Sequence, residues 1–417
     1  MESQSAKIQA PARKHYHDID GARSVLMFLS VALHAGTVYA PARPWITANL
    51  DRHGFFDWLI FGFHLFVTPT FFFVGGFFAV LLLSRRAAGD FLLNRLLRTG
   101  VPMVSIAVTL NMVELYYRYV DAGGPSGFIA WIGSPNFVEV WSSGLWALHL
   151  WFLVSLIPMF LLAAAVQKFV PKGSNLRGRA VAVPDWLSVV FKSSGAFAIF
   201  VILLAVANTA NYLVAGQVPG TYDLIFPGFQ SWYKLVSEFP FFVVGVMAAL
   251  SPAFLANLVK WRGWMPYAAA TALIIQPYST PEQSELFSLF MLFANQLAIW
   301  TIVLFILQFF HRYFNQGGKR TAWLADCALS MYLFHHCLVY VYGRMLVAVD
   351  WPIWAEFSIL TIAAAVTVIM LHEYVVRRFG WARLLFNGKT DIDAIRAKRD
   401  KAALKSKVAE RLPAQQS

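Results

Sequence analysis

The chain has 417 residues, of which 58% are hydrophobic and 13% are charged. A soluble domain of this length carries about twice that charged fraction, so the composition excludes an ordinary soluble protein. The net charge of +12 does not indicate nucleic-acid binding, because the basic residues are concentrated between apolar segments. The only two cysteines, Cys327 and Cys337, lie in one apolar segment and predict neither a disulfide framework nor a metal site.

Apolar segments follow one another along the chain, most of them near the ~20 residues that cross a hydrocarbon core. We predict an all-α, polytopic integral membrane protein with about ten transmembrane helices. The seventh segment is short and ends near Gln276 and Pro277. The predicted spans are residues 22–41, 58–83, 91–117, 144–166, 194–214, 232–256, 264–278, 285–311, 322–347 and 353–376.

Lys and Arg residues are distributed unevenly about these spans. If the N-terminus is cytoplasmic, nearly all of the 34 basic residues fall on the inner side, as the positive-inside rule requires. We therefore expect both termini in the cytoplasm. The predicted parts are a polar cytoplasmic arm over 1–20 that is not a signal peptide, a transmembrane domain over 21–377, and a basic cytoplasmic tail over 378–417. The five basic residues left on the outer side are Arg43, Arg52, Arg118, Lys234 and Arg344.

The first predicted span carries Arg23 near its start and His34 in its middle. A separation of eleven residues puts both side chains on one helix face, roughly 16 Å apart along the axis. An ionisable residue at the depth of His34 marks a functional site by default. His34 is therefore the first candidate for a catalytic base.

The third predicted span opens with Arg95 and Arg98, which lie on one helix face, and Arg85 and Arg86 precede them. The planar guanidinium group suits phosphate, so this cluster predicts a binding site for a polyanion such as the phosphates of coenzyme A or a nucleotide. Positive-inside bias alone is the other interpretation of the arginines. The sequence has no Walker, dinucleotide-binding or GxSxG motif, and we expect no metal.

Further polar side chains fall in the middle or outer half of other spans. A single histidine in a span is often a packed, hydrogen-bonded residue, but a set that, together with His34, comes from six spans indicates function. His335 and His336 point about 100° apart, so we expect at most one of them to face a given cavity. The set comprises His64, Glu114 with Asn111, His149, Glu238, and His335 with His336.

An anionic donor on the inside and a base with carboxylates in the outer half suit transfer of a group from a cytosolic carrier to an acceptor outside. A histidine can deprotonate the acceptor hydroxyl as a general base. Two other classes stay open. Buried His and Glu also build the proton relays of transporters, and a scaffold without chemistry is the third class.

Three motifs carry a resemblance to the membrane-bound acyltransferase 3 family. Arg23 and His34 are separated by ten residues, residues 70–78 are similar to the family's FFxxSGF segment, and Arg95 with Arg98 matches its arginine pair. Gly75 stands where serine is usual. The resemblance covers about residues 16–390. Segments that begin at His149, Phe239, Ser330 and Leu384 resemble those of the family's glucan-modifying members.

The resemblance implies an acyl-CoA donor in the cytosol and an acceptor outside it. It makes His34 the catalytic histidine and Arg23 its partner in the motif. Together with the polar set, it gives the following assignments. The catalytic group is His34, Arg23, Glu114 and His335; the acceptor-binding group is His149, Trp151, Glu238 and His64; the donor-binding group is Arg95, Arg98 and Arg86.

These assignments lead to one expected function. We expect a bacterial inner-membrane O-acyltransferase that moves succinyl from succinyl-CoA to glucose hydroxyls of osmoregulated periplasmic glucans. The alternative within the family is an acetyltransferase acting on lipopolysaccharide, exopolysaccharide or peptidoglycan. No permanently bound cofactor is expected. The expected partners are acyl-CoA, the glucan acceptor and membrane lipids. The glucan synthesis machinery and a second copy of the chain are further candidates, and no nucleic acid is expected.

Overall fold

The computed structural model describes residues 16–42, 45, 51–84, 86–169, 193–221, 231–276 and 284–389. Throughout these ranges the chain forms helices and no β-strand, which confirms the predicted all-α class. The arm before Tyr16, Arg85 and the tail after Lys389 lie outside the described residues.

Nine helical segments in the described ranges are long and apolar enough to cross a membrane. Several consist of two or more helices joined by a short kink. Two five-residue π-helical turns (Leu96–Gly100 and His372–Val376) and one 3₁₀ turn (Leu145–Leu150) interrupt them. The α-helices are α1 (His17–Tyr39), α2 (Gly54–His64), α3 (Val67–Leu83), α4 (Ala88–Arg95), α5 (Val101–Ala107), α6 (Leu110–Asp121), α7 (Phe128–Ile132), α8 (Pro135–Ser142), α9 (Trp151–Phe169), α10 (Ser194–Gln217), α11 (Trp232–Leu250), α12 (Pro252–Leu258), α13 (Met265–Ile275), α14 (Glu285–Phe314), α15 (Lys319–Leu346), α16 (Ile353–Leu371) and α17 (Gly380–Asn387).

The seventh predicted span is the short helix α13. Its 11 residues extend only ~16 Å, about half of a hydrocarbon core, which agrees with the short segment that the sequence indicated. Gln276 caps α13 in the left-handed conformation with φ 43° and precedes Pro277, before which helical backbone is disfavoured. Its side-chain amide donates to the carbonyl of Trp58 in α2.

The two ends of the bundle differ in charge. The end at which α1 begins carries Arg23 and Arg95 and is called the basic face; the end at which α1 finishes is called the opposite face. At the basic face, Asp18 in the first turn of α1 lies 2.7 Å from Nδ1 of His311 in the last turn of α14. At the opposite face, Asp121 at the end of α6 pairs with Arg344 of α15 at 2.9 Å.

The ordered fold extends beyond the predicted domain limits at both ends. Helix α1 begins at His17, inside the predicted arm. Past residue 377, helix α17 packs against the bundle, with the ring of Phe386 5.1 Å from that of Phe334. The first residues of the predicted tail therefore belong to the folded domain.

Helix α1 lies at the centre and packs against α15, α14, α2, α16 and α3. The closest crossing in the bundle joins α3 to α11. A Cβ atom on Gly76 would overlap the carbonyl of Phe242, and one on Gly245 would overlap the carbonyl of Phe73. Small residues allow such close approach between membrane helices, so these two glycines fix the position of α3 beside the site.

We expect Gly245→Ala to lower the free energy of unfolding by about 2 kcal/mol or more, because the added methyl group forces α3 and α11 apart. Gly195→Ala is the matched control, since a Cβ there meets no atom within 4 Å. Thermal unfolding of the purified protein in detergent measures both variants. Equal melting temperatures would contradict the close crossing.

Candidate active site

A cavity of about 600 Å³ opens at the basic face. Side chains from α1, α3, α4, α9 and α15 line it, together with the residues at the end of α17. We call it the basic cavity. Its cationic side chains are Arg23, Arg86, Arg95, Arg98 and Lys389. The structure thus brings together the arginines that the sequence placed in three separate segments.

Arg95 is the most enclosed of these cations. Its guanidinium carbon lies 5.7 Å from the ring centre of Phe91 and 5.5 Å from that of Phe160. Its guanidinium group donates a hydrogen bond to the Asn94 amide oxygen at 3.0 Å. Among the described residues its buried Nε atom has no acceptor. A buried cation held by rings rather than by a carboxylate keeps its charge available to an anion.

The polypeptide after α17 completes this end of the cavity. Gly388 has φ 58°, and a side chain there would overlap the carbonyl of Leu97 in the π-helical turn that carries Arg98. The next residue, Lys389, pairs with Asp326 at 2.6 Å. Sequence analysis assigned Lys389 to the tail and missed its place in the cavity. The segment that begins at Leu384, already noted for its resemblance, was the available signal.

Four imidazole rings meet deeper in the bundle, and we call them the histidine cluster: His34, His149, His335 and His336. The ring centre of His34 lies 5.1 Å from that of His335 and 4.8 Å from that of His336. The His149 ring stacks on His336 at 4.5 Å and lies 5.6 Å from His335. Three of the predicted site histidines are therefore neighbours.

The expectation that only one of His335 and His336 faces a common cavity is wrong. Their ring centres are 6.2 Å apart, and the ring of His34 contacts both. Helix α1 packs directly on α15, so a ring projecting from α1 reaches two consecutive positions of the facing helix. Adjacent residues of α15 do project about 100° apart. The ring of His34 lies between the two projecting rings and contacts both of them.

Glu114 closes one side of the cluster and is completely buried. One carboxylate oxygen lies 2.8 Å from Nδ1 of His336, and the other accepts from Arg118 at 2.7 Å. Trp45 stacks on His34 with ring centres 5.1 Å apart, and the Arg118 guanidinium lies over the same indole. Sequence analysis missed the roles of Trp45 and Arg118, since a loop tryptophan and an outer arginine carry no motif.

The backbone sets the direction of two of these rings. Leu148 has φ 42°, a strained conformation for a non-glycine residue, and it turns the chain so that His149 enters the cluster. The carbonyl of His149 accepts a 2.6 Å hydrogen bond from the Tyr332 hydroxyl. Nδ1 of His335 lies 2.7 Å from the Met331 carbonyl, so Nδ1 carries the proton.

Three residues of the cluster have ring nitrogens without a hydrogen-bond partner among the described residues, and both nitrogens of His149 are among them. With its proton on Nδ1, neutral His335 has a lone pair on Nε2, and this buried atom has no partner among the described residues. The buried Nδ1 of His34 likewise has none. His34 is also the only ring of the cluster that is partly exposed. The cluster therefore offers candidate bases whose acceptor nitrogens are unpaired among the described residues.

The remaining predicted site residues lie around the cluster. His64, at the end of α2, is near enough to interact electrostatically with His34. Trp151 and Glu238 have other neighbours: the Lys234 ammonium lies 3.8 Å from the ring centre of Trp151, and Glu238 follows Lys234 by one turn of α11. Arg23 pairs with Asp20 at 3.1 Å and lines the basic cavity. Within the described ranges, no three His, Cys, Asp or Glu side chains are arranged to bind a metal.

The bundle and its two sites define a multi-pass membrane protein with a cationic cavity on one side and a histidine cluster inside. A family model described as an acyltransferase domain matches residues 16–372, and the chain belongs to this acyltransferase 3 family. It is similar to "Glucans biosynthesis protein C" of Escherichia coli O1:K1, with 24% identity over 402 residues that cover 94% of this chain and 98% of that protein. The protein of the same name from Escherichia coli O157:H7 is 24% identical over 404 residues, with the same coverage. No solved structure matches the chain.

We expect Glu114→Ala to lower the free energy of unfolding by about 3–5 kcal/mol, because Arg118 and His336 lose their common buried acceptor. The matched control is Asp121→Ala, which also removes a carboxylate that pairs with an arginine. The Asp121 side chain is 19% exposed and also accepts from the Tyr340 hydroxyl at 2.7 Å, so its loss should cost about 1–2 kcal/mol, less than the loss of the completely buried Glu114.

Thermal unfolding in detergent ranks the two variants against the unaltered protein. Equal losses of stability in both variants would contradict a special role for the carboxylate of Glu114.

Proposed function

We propose that the protein is an inner-membrane O-acyltransferase that moves a succinyl group from cytosolic succinyl-CoA to glucose hydroxyls of a periplasmic glucan. The observation that carries the proposal is that the basic cavity and the histidine cluster share two helices. Helix α1 supplies Arg23 to the cavity and His34 to the cluster, while α15 supplies Asp326 and His335. The acyltransferase family and the name of the glucan relatives support the reaction type and the acceptor.

The distance between the sites fits a donor with two distant parts. Arg23 and His34 are separated by roughly 16 Å along α1. Coenzyme A carries phosphates at one end and a thioester at the other, joined by a long flexible arm. Phosphates bound at the basic face would therefore leave the thioester pointing towards the histidines.

The cationic side chains of the basic cavity would bind the phosphates. Arg95, Arg98 and Arg86 all line it, and paired arginines bind phosphate oxygens through parallel hydrogen bonds. The positive charges also repel one another, so an anionic ligand relieves an unfavourable arrangement. Lys389 would add a fifth cation, with its ammonium group placed between Asp326 and a bound phosphate.

The reaction would proceed by general base catalysis. His34 accepts the proton of the acceptor hydroxyl while the hydroxyl oxygen attacks the thioester carbonyl. The C–S bond then breaks, and the protonated His34 returns the proton to the thiolate of coenzyme A. The products are a glucan ester and free coenzyme A. Glu114 holds His336 against His34 and so fixes the position of the base.

The acceptor would reach His34 from the opposite face. Trp45 covers His34 on that side, and aromatic rings are suited to stack against the apolar faces of sugars. His64, His149, Trp151 and Glu238 would border the approach. The Lys234 ammonium on the ring of Trp151 adds a hydrogen-bond donor for acceptor hydroxyls.

We expect His34→Ala to lower succinyl transfer by about a hundredfold or more, because the reaction loses its base. The measurement is mass spectrometry of periplasmic glucans from cells that produce each variant in place of the unaltered protein. His53→Ala is the matched control, since His53 is an exposed histidine that caps α2 at the opposite face.

Full succinylation by a folded His34→Ala variant would contradict the mechanism. Another acyl group on the glucan would contradict the succinyl donor, and an unmodified glucan with an esterified lipopolysaccharide, exopolysaccharide or peptidoglycan would contradict the acceptor.

We expect the double variant Arg95→Ala and Arg98→Ala to bind a non-hydrolysable succinyl-CoA analogue at least roughly tenfold more weakly, as loss of hydrogen bonds to a charged group requires. Arg312→Ala is the matched control, because Arg312 lies at the basic face over the ring of Trp261 and does not line the basic cavity. Calorimetric titration at two salt concentrations gives the affinities. Equal affinity in the double variant and the control would contradict the phosphate site.

A further inference from the structure

Tyr332 of α15 lies between the two sites and contacts both. Its side chain lines the deep end of the basic cavity together with Met27, Phe71 and Phe152. Its hydroxyl donates to the carbonyl of His149, and its ring centre lies 5.3 Å from that of His149. One residue therefore touches the floor of the cavity and the wall of the histidine cluster.

The lining of the cavity ends where the histidine cluster begins. On α1 it includes Met27, and His34 follows two turns or ~10 Å further. On α15 it includes Tyr332, and His335 follows one turn further. His34 is partly exposed and does not line the basic cavity, so this cavity stops short of the proposed base. Tyr332 lies at the point where the lining ends.

The Tyr332 side chain is well placed to close the cavity at this point. It is only 7% exposed, its hydroxyl is held by the hydrogen bond to His149, and its ring is supported by that of Phe152 at 6.2 Å. Because Phe152 supports the ring of Tyr332 and His149 holds its hydroxyl, the ring rotates less freely than an aliphatic side chain. It therefore closes the floor of the basic cavity more firmly.

An acyltransferase whose two substrates enter from opposite faces must not contain a continuous water-filled path across the membrane. We propose that Tyr332 is the permeability barrier of this protein: its ring separates the water of the basic face from the water that reaches His34, and its hydroxyl positions His149. The two parts of the side chain have separate effects. The ring closes the path, and the hydroxyl holds the backbone of the cluster.

Cysteine accessibility tests the barrier without substrate. Met27→Cys is placed in a background that carries Cys327→Ser and Cys337→Ser, and the protein is reconstituted in sealed vesicles of known orientation. A charged, membrane-impermeant methanethiosulfonate reagent is then added from one face at a time. We expect labelling of Met27→Cys from the basic face and at least about tenfold slower labelling from the opposite face.

Substitution of Tyr332 should remove this difference. With Tyr332→Ala, labelling from the opposite face should rise to within a few fold of that from the basic face. Tyr332→Phe keeps the ring and should behave as the parent does. Phe160→Ala is the matched control, because it removes a ring near Arg95 at the mouth of the cavity and should leave the opposite face closed.

Two results would overturn the proposal. The first is rapid labelling of Met27→Cys from the opposite face when Tyr332 is intact, which needs no further variant. The second is continued protection in a Tyr332→Ala protein that elutes as one sharp peak in detergent and still reacts from the basic face. If Tyr332→Ala does not fold, Tyr332→Leu replaces it, with the same expected gain in labelling.

The role of the hydroxyl rests on the proposed function and has its own readout. Tyr332→Phe should lower the kcat of acyl transfer severalfold and leave the KM for the donor unchanged, because His149 loses its support while the cavity keeps its shape. An unchanged kcat would overturn this role. Absence of transfer in the parent protein, with the labelling pattern intact, would reject the proposed function and leave the barrier standing.

Discussion

The fold depends on one constraint: polar side chains inside an apolar bundle need partners on other helices, since lipid offers none. Glu114 of α6 satisfies this requirement for Arg118 and for His336 of α15 at the same time. His34 of α1 then packs against the ring that Glu114 holds. The central helix is thus tied to its neighbours through the same groups that define the candidate site, so stability and function share one set of contacts.

Sequence analysis predicted the parts of the structure that depend on local pattern. The lengths of the apolar runs located most spans, and helical periodicity placed Arg23 and His34 on one face of α1. It also indicated that the seventh segment is short and ends near Gln276, as α13 is. Trp45 and Arg118 were missed, because each lies outside a motif and gains its role only when helices distant in sequence meet.

The C-terminal segment shows how such a role arises. In the sequence, Lys389 is one of many basic residues near the end of the chain. In the fold, Gly388 allows the backbone to lie against the turn that carries Arg98, and this contact carries Lys389 to Asp326. The basic cavity is therefore built from both halves of the chain, which explains why a spacing rule applied to one segment found only part of it.

The short helix α13 has a consequence for the surrounding lipid. Its exposed apolar side chains, Tyr267, Ile274 and Ile275, face outward over only ~16 Å. Where α13 meets lipid, its length is less than that of a hydrocarbon core, and such a mismatch carries a free-energy penalty that depends on the thickness of the bilayer. Helix α13 is therefore the described segment at which the length of the lipid chains bears most directly on the protein.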